Sequence, residues 1–247
     1  MTASTTATYV VDGSDGRHAK LKLHAELVGL PSGERRRETD QTIEALPRDW
    51  GTTVGLELGA WTDRDVDGRF HFLNLFARWS KGLAAYDELA PPTAVSADLT
   101  TFPRASQLVF GLAHSADHKL GNLVAAAYAG RFVDADPNTR DRDDGWEYAV
   151  DLRPLAKVIG DVHAGVDLSY QVRFPRGLDP ITGLAADPAV FAIAPMVVYA
   201  PMGPSAFDRP QLRLVYRAAH LNDGALGLYA VDDPRRAYPW EIGRAHD

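Results

Sequence analysis

Apolar and polar side chains alternate along this chain over segments of about ten residues, and a period of two fits only an extended strand whose two faces meet different surroundings. From Ala19, the residues Ala19, Leu21, Leu23, Ala25 and Leu27 share one face, and Lys20, Lys22, His24 and Glu26 the other. A helix would mix these faces. Val54, Leu56, Leu58 and Ala60 alternate with Gly55, Glu57, Gly59 and Trp61, and Leu73, Leu75, Ala77 and Trp79 with Phe72, Asn74, Phe76 and Arg78, so the two stretches read as a hairpin. Trp146, Tyr148, Val150 and Leu152 oppose Glu147, Ala149, Asp151 and Arg153. Val162, Ala164, Val166, Leu168 and Tyr170 oppose His163, Gly165, Asp167, Ser169 and Gln171, and Leu212, Leu214, Tyr216 and Ala218 oppose Gln211, Arg213, Val215 and Arg217. Weaker strands are predicted at Gln107 to Ala113, Asn122 to Phe132 and Ala189 to Tyr199, making about nine in all.

The connections alternate in length. Long polar links fall at 31–49, 81–103, 134–144 and 175–187, and short ones at 62–68, 115–121, 156–161 and 201–208. This predicts an all-β, antiparallel up-and-down meander with its long loops on one side, as in outer-membrane β-barrels. Trp79, Trp146, Tyr148 and Tyr170 sit near strand ends, where an interfacial aromatic girdle would lie. No repeat, linker or low-complexity stretch marks a second domain, so residues 1–247 read as one.

Composition narrows the alternatives. The longest apolar runs, such as Leu123 to Ala129, fall far short of the roughly 20 residues of a spanning helix. A formal charge of −7 argues against a nucleic-acid partner, which requires a concentrated basic face. With no cysteine there is no disulfide, thiolate nucleophile or cysteine-bound metal. Met1 to Tyr9 has neither the basic start nor the apolar core of a signal peptide, and Met1 reads as an internal methionine of a longer chain.

The segment 134–145 has the oxygen-ligand density of a calcium loop but fails the EF-hand pattern, with Thr139 at the turn glycine and Gly145 where a bidentate glutamate is required. His114 and His118 have the spacing of a helical zinc pair, yet sit at a strand-to-turn junction without a third ligand. No nucleophile elbow, carboxylate dyad or phosphate-binding glycine loop appears at catalytic spacing. The sequence therefore predicts neither an enzyme nor a metal or cofactor site.

Three stretches resemble the C-terminal half of maltoporins, the trimeric sugar porins of the bacterial outer membrane. They are Phe70 through Trp79; Asp144-Gly145-Trp146 through Arg153-Pro154-Leu155 with the following Val166 to Tyr170; and Gly203 through Arg213, where Phe207 precedes Asp208-Arg209-Pro210. The resemblance runs from about Val11 and implies the later part of a barrel of about eighteen strands, an open curved sheet in isolation. It implies that the first half and the aromatic closing strand are missing, and the terminal Glu241 to Asp247 reads as translated sequencing adapter.

The same resemblance implies a homotrimer among membrane lipid and lipopolysaccharide, passing maltodextrin-like sugars by passive diffusion. It places Phe72 and Phe207 on an aromatic slide. By parity Phe72 shares a face with Asn74 and Arg78, and Phe207 with Arg209, Gln211 and Arg213. Pore-lining polar groups would be Asn74, Arg78, Asp151, Arg153, Asp167, Gln171, Arg209, Arg213 and Arg217. The alternatives from the pattern itself are a soluble carbohydrate-binding β-sandwich, which would bury the apolar face, and a general ion porin without sugar preference.

Overall fold

A computed structural model describes residues 2–36, 43–46, 48–66, 68–86, 105–133, 144–177, 186–203, 205 and 208–245. The strands are β1 (Thr2–Asp12), β2 (Arg17–Leu30), β3 (Gly33–Arg36), β4 (Ile43–Leu46), β5 (Asp49–Thr62), β6 (Phe70–Gly82), β7 (Ser106–His118), β8 (Gly121–Val133), β9 (Gly145–Ile159), β10 (Val162–Pro175), β11 (Ala189–Tyr199), β12 (Leu212–Leu221) and β13 (Trp240–Ala245). One short helix, α1 (Asp223–Leu226), and two 3-10 turns complete the elements. Eleven strands form one sheet in the order β1-β2-β5-β6-β7-β8-β9-β10-β11-β12-β13, and β3 and β4 make a separate hairpin. Every pairing is antiparallel, so consecutive strands of the large sheet are neighbours throughout.

The register converts the sequence alternation into two faces. Tyr9, Leu21, Leu58, Leu75, Leu112, Ala127, Val150, Tyr170 and Phe191 lie opposite one another in an unbroken row across nine strands. This apolar face stays accessible: Leu23 is 52% and Leu214 74% exposed. The other face carries Lys20, Glu57, Asn74, Arg78, Asp151, Arg153 and Asp167 among glycines and alanines. Buried apolar side chains are few, the main group being Leu155, Met196, Val198 and Ala200 with Val215 against them.

The antiparallel meander matches the pattern reading, but the barrel does not. β1 and β13 are the two ends of the strand order and do not pair with each other, so the sheet is open and encloses no pore. The expected transmembrane barrel, and conduction of sugars or ions through it, are corrected accordingly. Outer-membrane placement is corrected with them, because hydrocarbon offers no partners to the outward N–H and C=O groups of two edge strands. Alternation fixes which face a residue takes; it carries no information on whether the last strand meets the first. The sandwich is not formed either, since the other sheet among the described residues has two strands.

Side-chain ties hold the turns. In the β5–β6 turn Arg64 donates to Asp117 Oδ2 at 2.9 Å and lies 3.4 Å from Asp208. Asn122 Nδ2 donates to Asp117 Oδ1 at 2.5 Å, so one almost fully buried carboxylate joins three connections. At the β1–β2 end His18 sits between Asp12 at 2.8 Å and Asp63 at 3.1 Å and stacks on Trp61 with centroids 5.3 Å apart. The hydrogen bond to Asp12, helped by Asp63, raises the His18 pKa above its ordinary value against the opposing effect of burial.

Two outcomes follow. Replacing Asp117 with Ala leaves Arg64 and Asn122 without their acceptor and is expected to cost about 2 kcal/mol in urea unfolding. Because His18 binds its proton more tightly folded than unfolded, its contribution is fully present below the unfolded value of 6.5 and is lost as pH rises through the folded pKa. The wild-type thermal midpoint should therefore fall across that window relative to His18→Gln, and parallel profiles for the two proteins would refute the clamp.

Candidate functional site

Two neighbouring rows of the polar face build the site. In one, Glu57, Phe76, Gly111, Tyr128, Ala149 and Gln171 lie opposite in turn on β5 to β10. In the next, Asn74, Ala113, Ala126, Asp151, Ser169 and Ala192 do the same on β6 to β11. Glycine and alanine leave a low floor between the larger groups. The Phe76 ring fills the space a side chain at Gly111 would need, and the Tyr128 phenol does the same over Gly130. Bulk is thus laid onto the sheet, and Phe76 remains 40% exposed. Phe76, Tyr128, Asp151, Asp167, Ser169 and Arg217 line a common cavity of about 560 Å³.

Asp151 on β9 and Asp167 on β10 hydrogen-bond to each other, which requires a proton between them. Burial, first, and then the Asp167 carboxyl push the Asp151 pKa up to about 6, while Arg153 pulls the other way. The backbone around Asp167 is unusual. The β9–β10 ladder is interrupted where Arg153 and Pro154 face Val166 and Asp167, and the β11–β12 ladder where Ala194 and Pro195 face Tyr216 and Arg217. Proline supplies no N–H, which accounts for both breaks. Glu57, on the same face, shows the opposite shift: Lys20 Nζ lies 2.6 Å away and lowers its pKa.

Most residues anticipated from sequence lie on this face, but they do not all meet. Asp151, Asp167, Gln171 and Arg217 share the large cavity, and Arg153 acts on Asp151 electrostatically. Arg78 and Gln171 line an adjoining cavity of about 420 Å³ with Gln107, Glu147 and Arg173. Asn74 lies opposite Ala113 and bonds to Glu57. Phe72 stands toward the strand end opposite Trp61 and Ser115, away from both cavities. Arg213 donates to Gln211 Oε1 at 2.6 Å, and Arg209 to the Asp208 carbonyl at 2.8 Å. Phe207 and the acidic segment 134–143 lie outside the described residues. His114 stacks on His71 with centroids 6.5 Å apart.

The aromatics that reach the cavity, Phe76 and Tyr128, were not among those anticipated. Phe76 was legible, since it shares parity with Asn74. Tyr128 was hidden in Leu123 to Ala129, a run apolar at both parities. Asn74 Oδ1, Gln107 Oε1 and Arg153 Nε are buried on this face without a protein partner among the described residues. Each such atom costs about 1–3 kcal/mol unless something polar reaches it.

No family model matches the chain, and no curated protein matches it. The maltoporin resemblance is therefore corrected: three short motifs on alternating strands reflect a shared two-faced sheet pattern, and matching residues do not extend into a family signal. The homotrimer and the lipid and lipopolysaccharide contacts rested on that resemblance and are withdrawn with it.

The raised Asp151 pKa makes a stability statement of its own. The folded protein holds the proton that the unfolded chain gives up near 3.8, so this group favours folding below 3.8 and loses that contribution as pH rises to about 6. Asp151→Asn should raise the urea midpoint at pH 8 and leave it nearly unchanged at pH 4, measured by tryptophan fluorescence. An equal shift at both values would count against the shared proton.

Proposed function

We propose that this chain binds carbohydrate on the polar face of its sheet, without converting it chemically. The observation that carries the reading is the composition of the 560 Å³ cavity: aromatic Phe76 and Tyr128 beside the Asp151–Asp167 carboxyls and Arg217, over a floor of small residues. A sugar ring has C–H faces that pack on aromatic rings and hydroxyls at its rim that exchange hydrogen bonds with carboxylates and guanidinium groups. The small floor leaves a ring room to lie flat. The buried, unpartnered acceptors Asn74 Oδ1 and Gln107 Oε1 add polar capacity on the same face.

Binding without hydrolysis is supported by the spacing of the acids. Carboxyl groups of glycosidases stand about 5–9.5 Å apart to leave room for a nucleophile or a water. Hydrogen-bonded carboxyls are closer than that, and Asp151 and Asp167 share such a bond.

Isothermal titration of the folded protein with maltose, cellobiose and lactose tests the reading. Saturable binding of at least one disaccharide is expected, weakened roughly tenfold in Phe76→Ala, equivalent to about 1.4 kcal/mol. Gly111→Val, which drives a branched side chain into the Phe76 ring, should weaken it similarly. Heats indistinguishable from dilution for all three sugars would sink the proposal.

A further inference from the structure

We infer that carbohydrate binding at this site releases the proton shared by Asp151 and Asp167, which makes affinity depend on pH; the inference rests on the sugar-binding reading above. Geometry carries it. Asp151 lies between Ala126 of β8 and Ser169 of β10, and Asp167 opposite Ala194 of β11, so both carboxyls stand above methyl-sized neighbours within the cavity. In the free protein they satisfy each other through one proton. A sugar presents adjacent hydroxyls, each of which donates a hydrogen bond.

When one hydroxyl donates to each carboxyl, both become acceptors and the proton between them has no place. The pair goes from one COOH and one carboxylate to two carboxylates, and the proton passes to solvent; no covalent bond of the sugar changes. The surroundings tolerate the added charge. The ionisable groups on this face are Tyr128 from β8, Arg153 and Glu147 from β9, His163 and Arg173 from β10 and Arg217 from β12, while β11 contributes Ala192, Ala194 and Met196. Arginine thus lies on β9, beside the pair, and on β12, beyond β11, and Arg153 already favours the ionised form of Asp151.

Linkage sets the size of the effect. With the pair giving up its proton at about 6 in the free protein, affinity should weaken roughly tenfold between pH 7 and pH 5, with close to one proton released per sugar at pH 5. The experiment is titration calorimetry with maltose, cellobiose and lactose at pH 5, 6 and 7, each in two buffers of different ionisation enthalpy. Circular dichroism confirms folding of the variant Asp151→Asn. The expected result is the tenfold loss and proton release in wild type, and weaker binding with a flat pH profile in the variant. Wild-type affinity constant from pH 5 to 7, or the same pH dependence in Asp151→Asn, overturns proton coupling and leaves the sugar-binding reading standing. No binding of any of the three sugars at any pH overturns both.

Discussion

The cross-strand ladder carries almost all the order in this chain. A packed protein shares its stabilisation between layers, but here one sheet of eleven strands holds nearly every long-range contact and few apolar side chains are buried. Each opposed pair in the row from Tyr9 to Phe191 is worth only about 0.2–1 kcal/mol, so continuity of the row matters more than any member. Where the ladder is cut, at Pro154 and Pro195, other forces have to hold the strands, and side-chain hydrogen bonding between Asp151 and Asp167 spans β9 and β10 at that place.

How much of this was legible depended on contrast between neighbouring residues. β2, β5, β6, β9, β10 and β12 declared themselves because Leu or Val alternates with Lys, Glu, Asp or Arg. β1 did not: Thr2 to Thr8 holds only Thr, Ala and Ser, whose polarity differs too little for a period to show, and its strand state comes from pairing with β2 at every position from Thr2 to Asp12. β3 and β4 were hidden within a segment read as a long polar link. The site was half visible. Parity put Asp151, Asp167, Gln171 and Arg217 on one face, but their convergence depends on how far β9 slides against β10, and that register is not written in hydropathy. Closure of the sheet was read from loop lengths and local motifs, which report the succession of strands and not where the succession ends.

Two acids on one face show how local surroundings, not residue type, set the charge state. Glu57 meets Lys20 and Lys22, and its ionised form is favoured. Asp151 meets another carboxyl in a partly buried place, and its ionised form is resisted despite Arg153. The first arrangement ties β2 to β5. The second holds β9 and β10 together only while a proton is retained, so at neutral pH the pair works against the fold it belongs to. Such a conflict is common where a site has been kept for binding at some cost in stability.

The floor beneath Phe76 and Asp151 has a consequence for how such a surface can change over time. Gly111, Ala113, Ala126, Ala149, Ala192 and Ala194 come from five successive strands, and each points to the polar side of a ladder that is already complete. Adding one methyl or hydroxyl at any of them alters the relief of the surface without disturbing backbone pairing. Specificity for one ring shape over another can therefore drift in small, separable steps, while the strands that carry it stay as they are.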